Sequence, residues 1–222
     1  WLTLWRLFCF PHAQIRCTAP SADQLYDVLW KECAKWIKLM PPDMQSSFEW
    51  TMTHIRIADS PETWFASART ARKEVPEALS GVHGEYVMLV VDEASGVPDE
   101  VYSTAEGVLT SPDVLVVLIS QPMRLVGYFY ETQRKLKQYW QTFQFSALDS
   151  PIAAGLLAEQ KIARYGVDSD EYRIFVLGEF PREDQVDERG YVPLIVGELN
   201  LVPDIGFFEN PILGVDPAGE GR

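Results

Sequence analysis

The sequence of 222 residues is short of several things, and each shortage excludes a class of protein. It has three cysteines, Cys9, Cys17 and Cys33, an odd number without metal-ligand spacing. That argues against a secreted disulfide scaffold and for a reducing compartment. No stretch approaches the roughly 18 consecutive apolar residues that a membrane span needs. Basic residues are outnumbered, 19 Lys and Arg against 32 Asp and Glu, for a net charge of −13. A chain so acidic does not coat nucleic acid by bulk charge, which leaves room only for a local basic groove. The three histidines, His12, His54 and His83, are scattered without the i, i+4 spacing of a zinc helix, and read as structural or surface residues. No repeat and no low-complexity tract is present. What remains is an ordinary globular balance, 47% hydrophobic and 23% charged, enough for one large domain or two small ones.

Both ends read as cut. Trp1-Leu-Thr-Leu-Trp-Arg-Leu-Phe8 is too apolar for an exposed start and is expected to be the last turns of a buried helix. It has neither the basic start nor the small-residue cleavage site of a signal peptide. At the other end Pro211-Ile-Leu-Gly-Val215 runs into Asp216 and a Gly-rich tail, as the first strand of something larger would.

Between them, strands and helices alternate. Gln14-Ile-Arg-Cys-Thr18 predicts a strand, and Ser21 a cap for the helix that follows. That helix is expected to bury Leu25, Val28, Leu29, Trp36 and Leu39 and to end at Pro41-Pro42. Residues 48–58 and 64–68 predict a strand and its hairpin partner. Tyr86-Val-Met-Leu-Val-Val91 is a continuous apolar run, the mark of a central parallel strand buried on both faces, and Val114-Leu-Val-Val-Leu-Ile119 is a second. Residues 98–107, 127–137 and 151–165 predict helices, and 140–145 an extended segment. This is an α/β pattern with a mainly parallel sheet. The Pro-, Gly- and acid-rich stretch from about residue 180 to 210 reads as a linker region.

The most informative residues are Asp92 and Glu93. A buried parallel strand ending in two carboxylates places both at the carboxyl edge of the sheet, where α/β proteins bind ligands. In nucleotide hydrolases the first carboxylate helps hold Mg²⁺ and the second polarises the water that attacks the γ-phosphate. An acidic turn after a core strand has the same appearance, so the pair alone leaves both readings open. Ser120 and Gln121 end the next strand, beside Asp92 if the two strands are neighbours, where polar groups can sense a γ-phosphate; Ser120-Gln-Pro122 is also an ordinary turn. Arg134, Lys135 and Lys137, with Tyr139 and Trp140, are either a DNA-backbone contact or a solvated helix face.

The order of the motifs resembles the large terminase subunits of tailed phages. Ala19-Pro-Ser-Ala-Asp-Gln24 is similar to the segment after their second strand. Pro76-Glu-Ala-Leu-Ser-Gly-Val-His-Gly84, followed by Asp92-Glu-Ala-Ser-Gly-Val-Pro-Asp-Glu100, resembles the approach to their Walker B motif. Ser120-Gln-Pro122 and Gly127-Tyr-Phe-Tyr130 resemble the coupling motif and the helix behind it. Trp140, Leu148-Asp-Ser-Pro151, Tyr165-Gly166 and Gly178-Glu-Phe-Pro181 recur in the same order, and Leu213-Gly-Val-Asp-Pro-Ala-Gly219 resembles the first strand of an RNase H-like nuclease.

The resemblance implies a P-loop NTPase sheet of the RecA-like, helicase-like type over residues 1–180, a linker over 181–210 and the start of a nuclease over 211–222. It implies ATP and Mg²⁺ as cofactors, with Mg²⁺ or Mn²⁺ for the nuclease. Its partners would be double-stranded DNA, the portal, the small terminase subunit and further copies in a ring, in the host cytoplasm at the capsid portal and without a membrane. Asp92 is implied as the magnesium carboxylate, Glu93 as the catalytic base, Ser120 and Gln121 as the coupling pair, and Asp216 as the first nuclease metal ligand.

The sequence departs from the family in three places. No lysine follows a glycine, so the phosphate loop is missing. Ser80 stands where many relatives carry an arginine, with Arg69 and Arg72 as nearby substitutes. No further nuclease carboxylate accompanies Asp216. Another helicase-like ATPase, or a non-catalytic α/β interaction protein, are the alternatives.

Overall fold

The computed structural model describes residues 1–74, 76–151 and 155–182. The expected linker from residue 183 onward, the nuclease strand and Asp216 lie outside the described residues. The chain begins with α1 (Leu2–Cys9) and β1 (Gln14–Thr18). A π-helical segment, Asp23–Trp30, then continues directly into α2 (Lys31–Lys38), followed by α3 (Pro42–Gln45). Next come β2 (Phe48–Trp50), β3 (His54–Ile57), β4 (Phe65–Ala68) and β5 (Tyr86–Asp92). After them lie α4 (Asp99–Thr104), β6 (Asp113–Ile119), α5 (Tyr128–Gln133), α6 (Leu156–Tyr165) and α7 (Asp170–Tyr172). The strands form one sheet in the order β2-β3-β4-β1-β5-β6. β4, β1, β5 and β6 run parallel, and β2 and β3 join antiparallel at one side.

The apolar run of β5 is the centre of the molecule. Residues 87–91 are each 4% exposed or less. Successive side chains face opposite ways along a strand, and the run divides accordingly. Met88 and Val90 pack with Leu4, Leu7, Ile15, Leu25 and Trp30, while Val87, Leu89 and Val91 pack with Leu79, Val82, Val101 and Tyr102. Helices therefore cover both faces, as a parallel sheet requires. Each of these side chains contributes roughly 1.5–3 kcal/mol on burial, which makes β5 a firm base for the polar residues at its end.

Several elements differ from expectation. α1 is amphipathic rather than buried all round: Thr3, Leu4, Arg6 and Leu7 are buried, whereas Trp1 and Trp5 are exposed. Ser21 caps the following helix as expected, its Oγ accepting the Gln24 N–H at 3.1 Å. The buried face of that helix is Leu25, Trp30, Cys33 and Ile37, and Val28 and Leu39 point to solvent. Widened i→i+5 turns over Asp23–Trp30 bring Leu25 and Trp30 onto one face. The expected helical spacing assumed narrower turns. Residues 48–58 form a hairpin instead of one strand, because Thr51 Oγ1 accepts the His54 N–H at 2.9 Å and turns the chain. β6 is an edge strand of the described sheet and only half-buried, with Ile119 at 51% exposure. Residues 140–145 join no strand ladder, and the helix expected over 127–137 breaks at Arg134, φ −123° and ψ −97°.

Candidate active site at the carboxyl edge of the sheet

Register brings the ends of the parallel strands together. Val91 pairs with Thr18 of β1, and Asp92 with Ile119 of β6. The turn after β5 is thus flanked by Pro20 on one side and Ser120 on the other. A side chain at Gly96 would come within 3.1 Å of Pro20 Cγ. On the far side, Ser120 Oγ accepts the Ser95 N–H at 3.1 Å and lies 2.7 Å from Ser95 Oγ. Asp92, Glu93 and Ser120 therefore converge on one edge, as the two apolar runs imply. Gln121 is exposed beyond them. Ser95 is the member that the motif reading missed; its place three residues after Asp92 was the only signal.

Both carboxylates are partly withdrawn from water. Burial pushes Asp92 above the usual carboxylate range, against a smaller opposing effect of the Glu93 N–H that its Oδ1 accepts at 3.1 Å. Burial likewise raises Glu93, and the neighbouring charge of Asp92 raises it further. No cation pairs with either among the described residues. Glu93 also has a left-handed backbone, φ 49° and ψ 45°, which a residue with a Cβ seldom adopts; His12 is the other such residue among those described. Two adjacent acids without a counter-ion, held at a sheet edge, suit a divalent cation shared with a phosphorylated ligand. Mg²⁺ is commonly held by one or two carboxylates together with substrate phosphates and waters.

No protein-family profile matches the sequence. Over 188 residues the chain is 29% identical to a protein of Enterobacteria phage P7 described as a probable terminase large subunit. The match takes in 78% of this chain, and the chain spans 37% of the length of that relative. The fold matches the large terminase ATPase domain of Thermus phage P74-26 with a TM-score of 0.57 at 19% identity, over 80% of each chain. It also matches the large terminase of bacteriophage HK97 with a TM-score of 0.51 at 17% identity, over 75% of this chain and 40% of that one. The fold is that of a terminase ATPase domain. The resemblance read from motif order is thus matched by sequence identity and by fold.

The remaining candidates in this terminase-like chain sit elsewhere. At Ser80, where the resemblance leads to the expectation of an arginine, the Ser80 and Gly81 carbonyls accept the guanidinium of Arg16 at 3.0 and 3.4 Å. Arg16 reaches them from β1, donates also to Ser67 Oγ at 2.7 Å, and is lowered to about 10 by burial and by Arg69. Arg69 and Arg72 are exposed. The histidines stay apart, and no group of three His, Cys, Asp or Glu side chains that could hold a metal occurs among the described residues. Lys135 pairs with Glu131 at 3.3 Å, and Arg134 lies over the Tyr130 ring, both exposed just past the end of α5 rather than on a helix face. Cys9, Cys17 and Cys33 are free thiols, the last two buried and pushed up to about 12 and about 11. No helix among the described residues is long and apolar enough to cross a membrane.

Proposed function

We infer that this chain is part of a viral DNA-packaging motor in which ATP hydrolysis drives double-stranded DNA into a capsid. The observation that carries the reading is the Asp92–Glu93 pair, without a cation, at the carboxyl edge of a terminase-type sheet. Asp92 would hold Mg²⁺, which supplies charge neutralisation to the β- and γ-phosphates. Glu93 would polarise the attacking water and take its proton. Burial and the charge of Asp92 raise Glu93, which brings it nearer neutral pH and makes it a stronger base than a solvated glutamate. Ser120, bonded to Ser95 in the same turn, occupies the place from which loss of the γ-phosphate can be passed to β6, with Gln121 beside it.

The same reading gives the complete protein a portal, a small terminase subunit and further copies in a ring as partners, in the host cytoplasm. It gives Asp216 the first metal-binding place of an RNase H-like nuclease working with Mg²⁺ or Mn²⁺. The 222 residues contain no Gly-Lys pair to cradle phosphates, so by themselves they should not turn over ATP.

The deciding measurement is ATP hydrolysis by a protein carrying this chain together with an upstream phosphate loop. Glu93→Gln is expected to lower kcat by about 10²–10⁴-fold and to leave nucleotide binding largely intact, since the base acts mainly in the transition state. Undiminished turnover by the variant would remove Glu93 from the site.

A further inference from the structure

The turn that carries Glu93 is held from below by a residue that no motif marks. Tyr102, on α4, is 6% exposed, and its hydroxyl donates to the Ala94 carbonyl at 2.7 Å. Among the described residues that carbonyl otherwise receives the Val97 N–H, at a longer 3.3 Å. The ring of Tyr102 is fixed in turn by Tyr128, at the start of α5, stacked with centroids 4.5 Å apart and planes 19° from parallel. α5 is docked on α4 by a second contact, the Tyr128 N–H donating to Asp99 Oδ1 at 2.8 Å. The hydroxyl thus sits on a support with little freedom to move.

We propose that Tyr102 is a positioning residue for Glu93, acting through its hydrogen bond to the Ala94 carbonyl. Glu93 occupies a left-handed conformation that its own side chain disfavours. Something must hold the residues on either side, and the described contacts show what does. Before Glu93 lies the β5 ladder, with Asp92 paired to Ile119. After it, Ser120 holds Ser95 from β6, and Tyr102 holds Ala94 from α4. Of these, the Tyr102 bond lies on the residue immediately following Glu93. Without it the peptide between Ala94 and Ser95 loses its shorter carbonyl bond, the turn that the Gly96 N–H closes onto the Glu93 carbonyl at 2.8 Å loosens, and Glu93 leaves the spacing from Asp92 that the proposed chemistry uses. Misplacement by an ångström at a reacting centre costs rate, not ligand affinity. The kinetic part of this inference rests on Glu93 being the base.

Tyr102→Phe removes the hydroxyl and leaves the ring stack on Tyr128. In the 222-residue chain, amide hydrogen exchange is expected to quicken about 3- to 10-fold at Gly96 and Val97. Their N–H groups close this turn onto the Glu93 and Ala94 carbonyls. Exchange in β5 should be unchanged. Equal exchange at Gly96 and Val97 in both proteins would overturn the proposal. In a protein carrying this chain and an upstream phosphate loop, Tyr102→Phe should lower kcat about 10-fold with KM unchanged. In a Glu93→Gln background it should have no further effect, because it acts through Glu93. The same loss in both backgrounds would also overturn the proposal, since a general structural role behaves that way. If Glu93→Gln alone leaves kcat unchanged, the catalytic reading falls instead, and the exchange result decides the role of Tyr102 by itself.

Discussion

Glu93 is placed where a glycine would be more comfortable. Its left-handed backbone costs about 1–2 kcal/mol for a residue with a Cβ, and its carboxylate lies beside that of Asp92 with burial working against ionisation of both. Raised carboxyl groups favour the folded protein while protonated and cost stability as they ionise, so the penalty is absent in acid and appears as pH rises through the carboxylate range. Glu93→Gly is therefore expected to be more stable than the parent. The backbone relief, net of the entropy of glycine, is about 0.5–1 kcal/mol, or roughly 1–4 °C in Tm for a chain of this size. The gain should be larger at pH 7 than at pH 3, because only at the higher pH does removing the acid also remove its ionisation penalty. Thermal melts at the two pH values test this, and a variant less stable than the parent at neutral pH would mean that Glu93 is not strained.

At the scale of elements, the sequence was most legible where burial is complete. The β5 run leaves no polar alternative over residues 87–91, and its end at Asp92 fixed the place of the candidate site. β6 has the same apolar composition yet lies at an edge, because a run of valines and leucines records hydrophobicity and not how many neighbours a strand has. The apolar spacing over residues 23–38 marks the helix and places Leu25, Leu29 and Trp36 against the core, but it errs at Val28 and Leu39, which are exposed, since a π-helical stretch leaves no mark in spacing that assumes 3.6 residues per turn. Ser95 and Tyr102 escape the sequence for a related reason: each acts through hydrogen bonds to another segment, Ser95 to Ser120 and Tyr102 to the Ala94 carbonyl, and nothing local announces them.

The π turn Arg173–Leu177 after α7 was also missed, although Gly178 marks its end. Gly178 has φ 66° and ψ 31°, and the Glu179 N–H reaches back to the Arg173 carbonyl at 2.9 Å, the closing bond of a helix that ends on a left-handed glycine. A Cβ there would lie 2.5 Å from the Phe145 carbonyl oxygen. Two further bonds hold the same segments together, from Gln144 Nε2 to the Leu177 carbonyl and from Ser146 Oγ to the Val176 carbonyl. Gly178→Ala should therefore both strain the cap and push residues 144–146 away, at a cost of about 2–3 kcal/mol. Denaturant unfolding measures it, with limited proteolysis near Phe143 and Phe145 as the local readout. A loss under 0.5 kcal/mol would show that the two segments do not depend on this contact.

At the scale of the whole molecule, the proposed function asks one polypeptide to run two kinds of phosphate chemistry. Hydrolysis of ATP needs one carboxylate for Mg²⁺ and one base, which the end of β5 offers together. Cutting DNA in an RNase H-like site needs several carboxylates around two divalent ions roughly 4 Å apart, which stabilise the attacking and leaving oxygens. Asp216 alone cannot assemble such a pair, so residues 1–222 should neither bind Mg²⁺ tightly there nor nick DNA. In a protein that carries the phosphate loop and continues beyond Arg222 through a nuclease domain, the two activities are expected to separate cleanly. Asp216→Ala should abolish plasmid nicking in Mg²⁺ or Mn²⁺ and leave phosphate release from ATP at the parent rate. Glu93→Gln should do the reverse, because the two sites share no residue. Nicking that survives Asp216→Ala would take that residue out of the nuclease, whereas joint loss of both activities in either variant would mean that the two sites depend on one another.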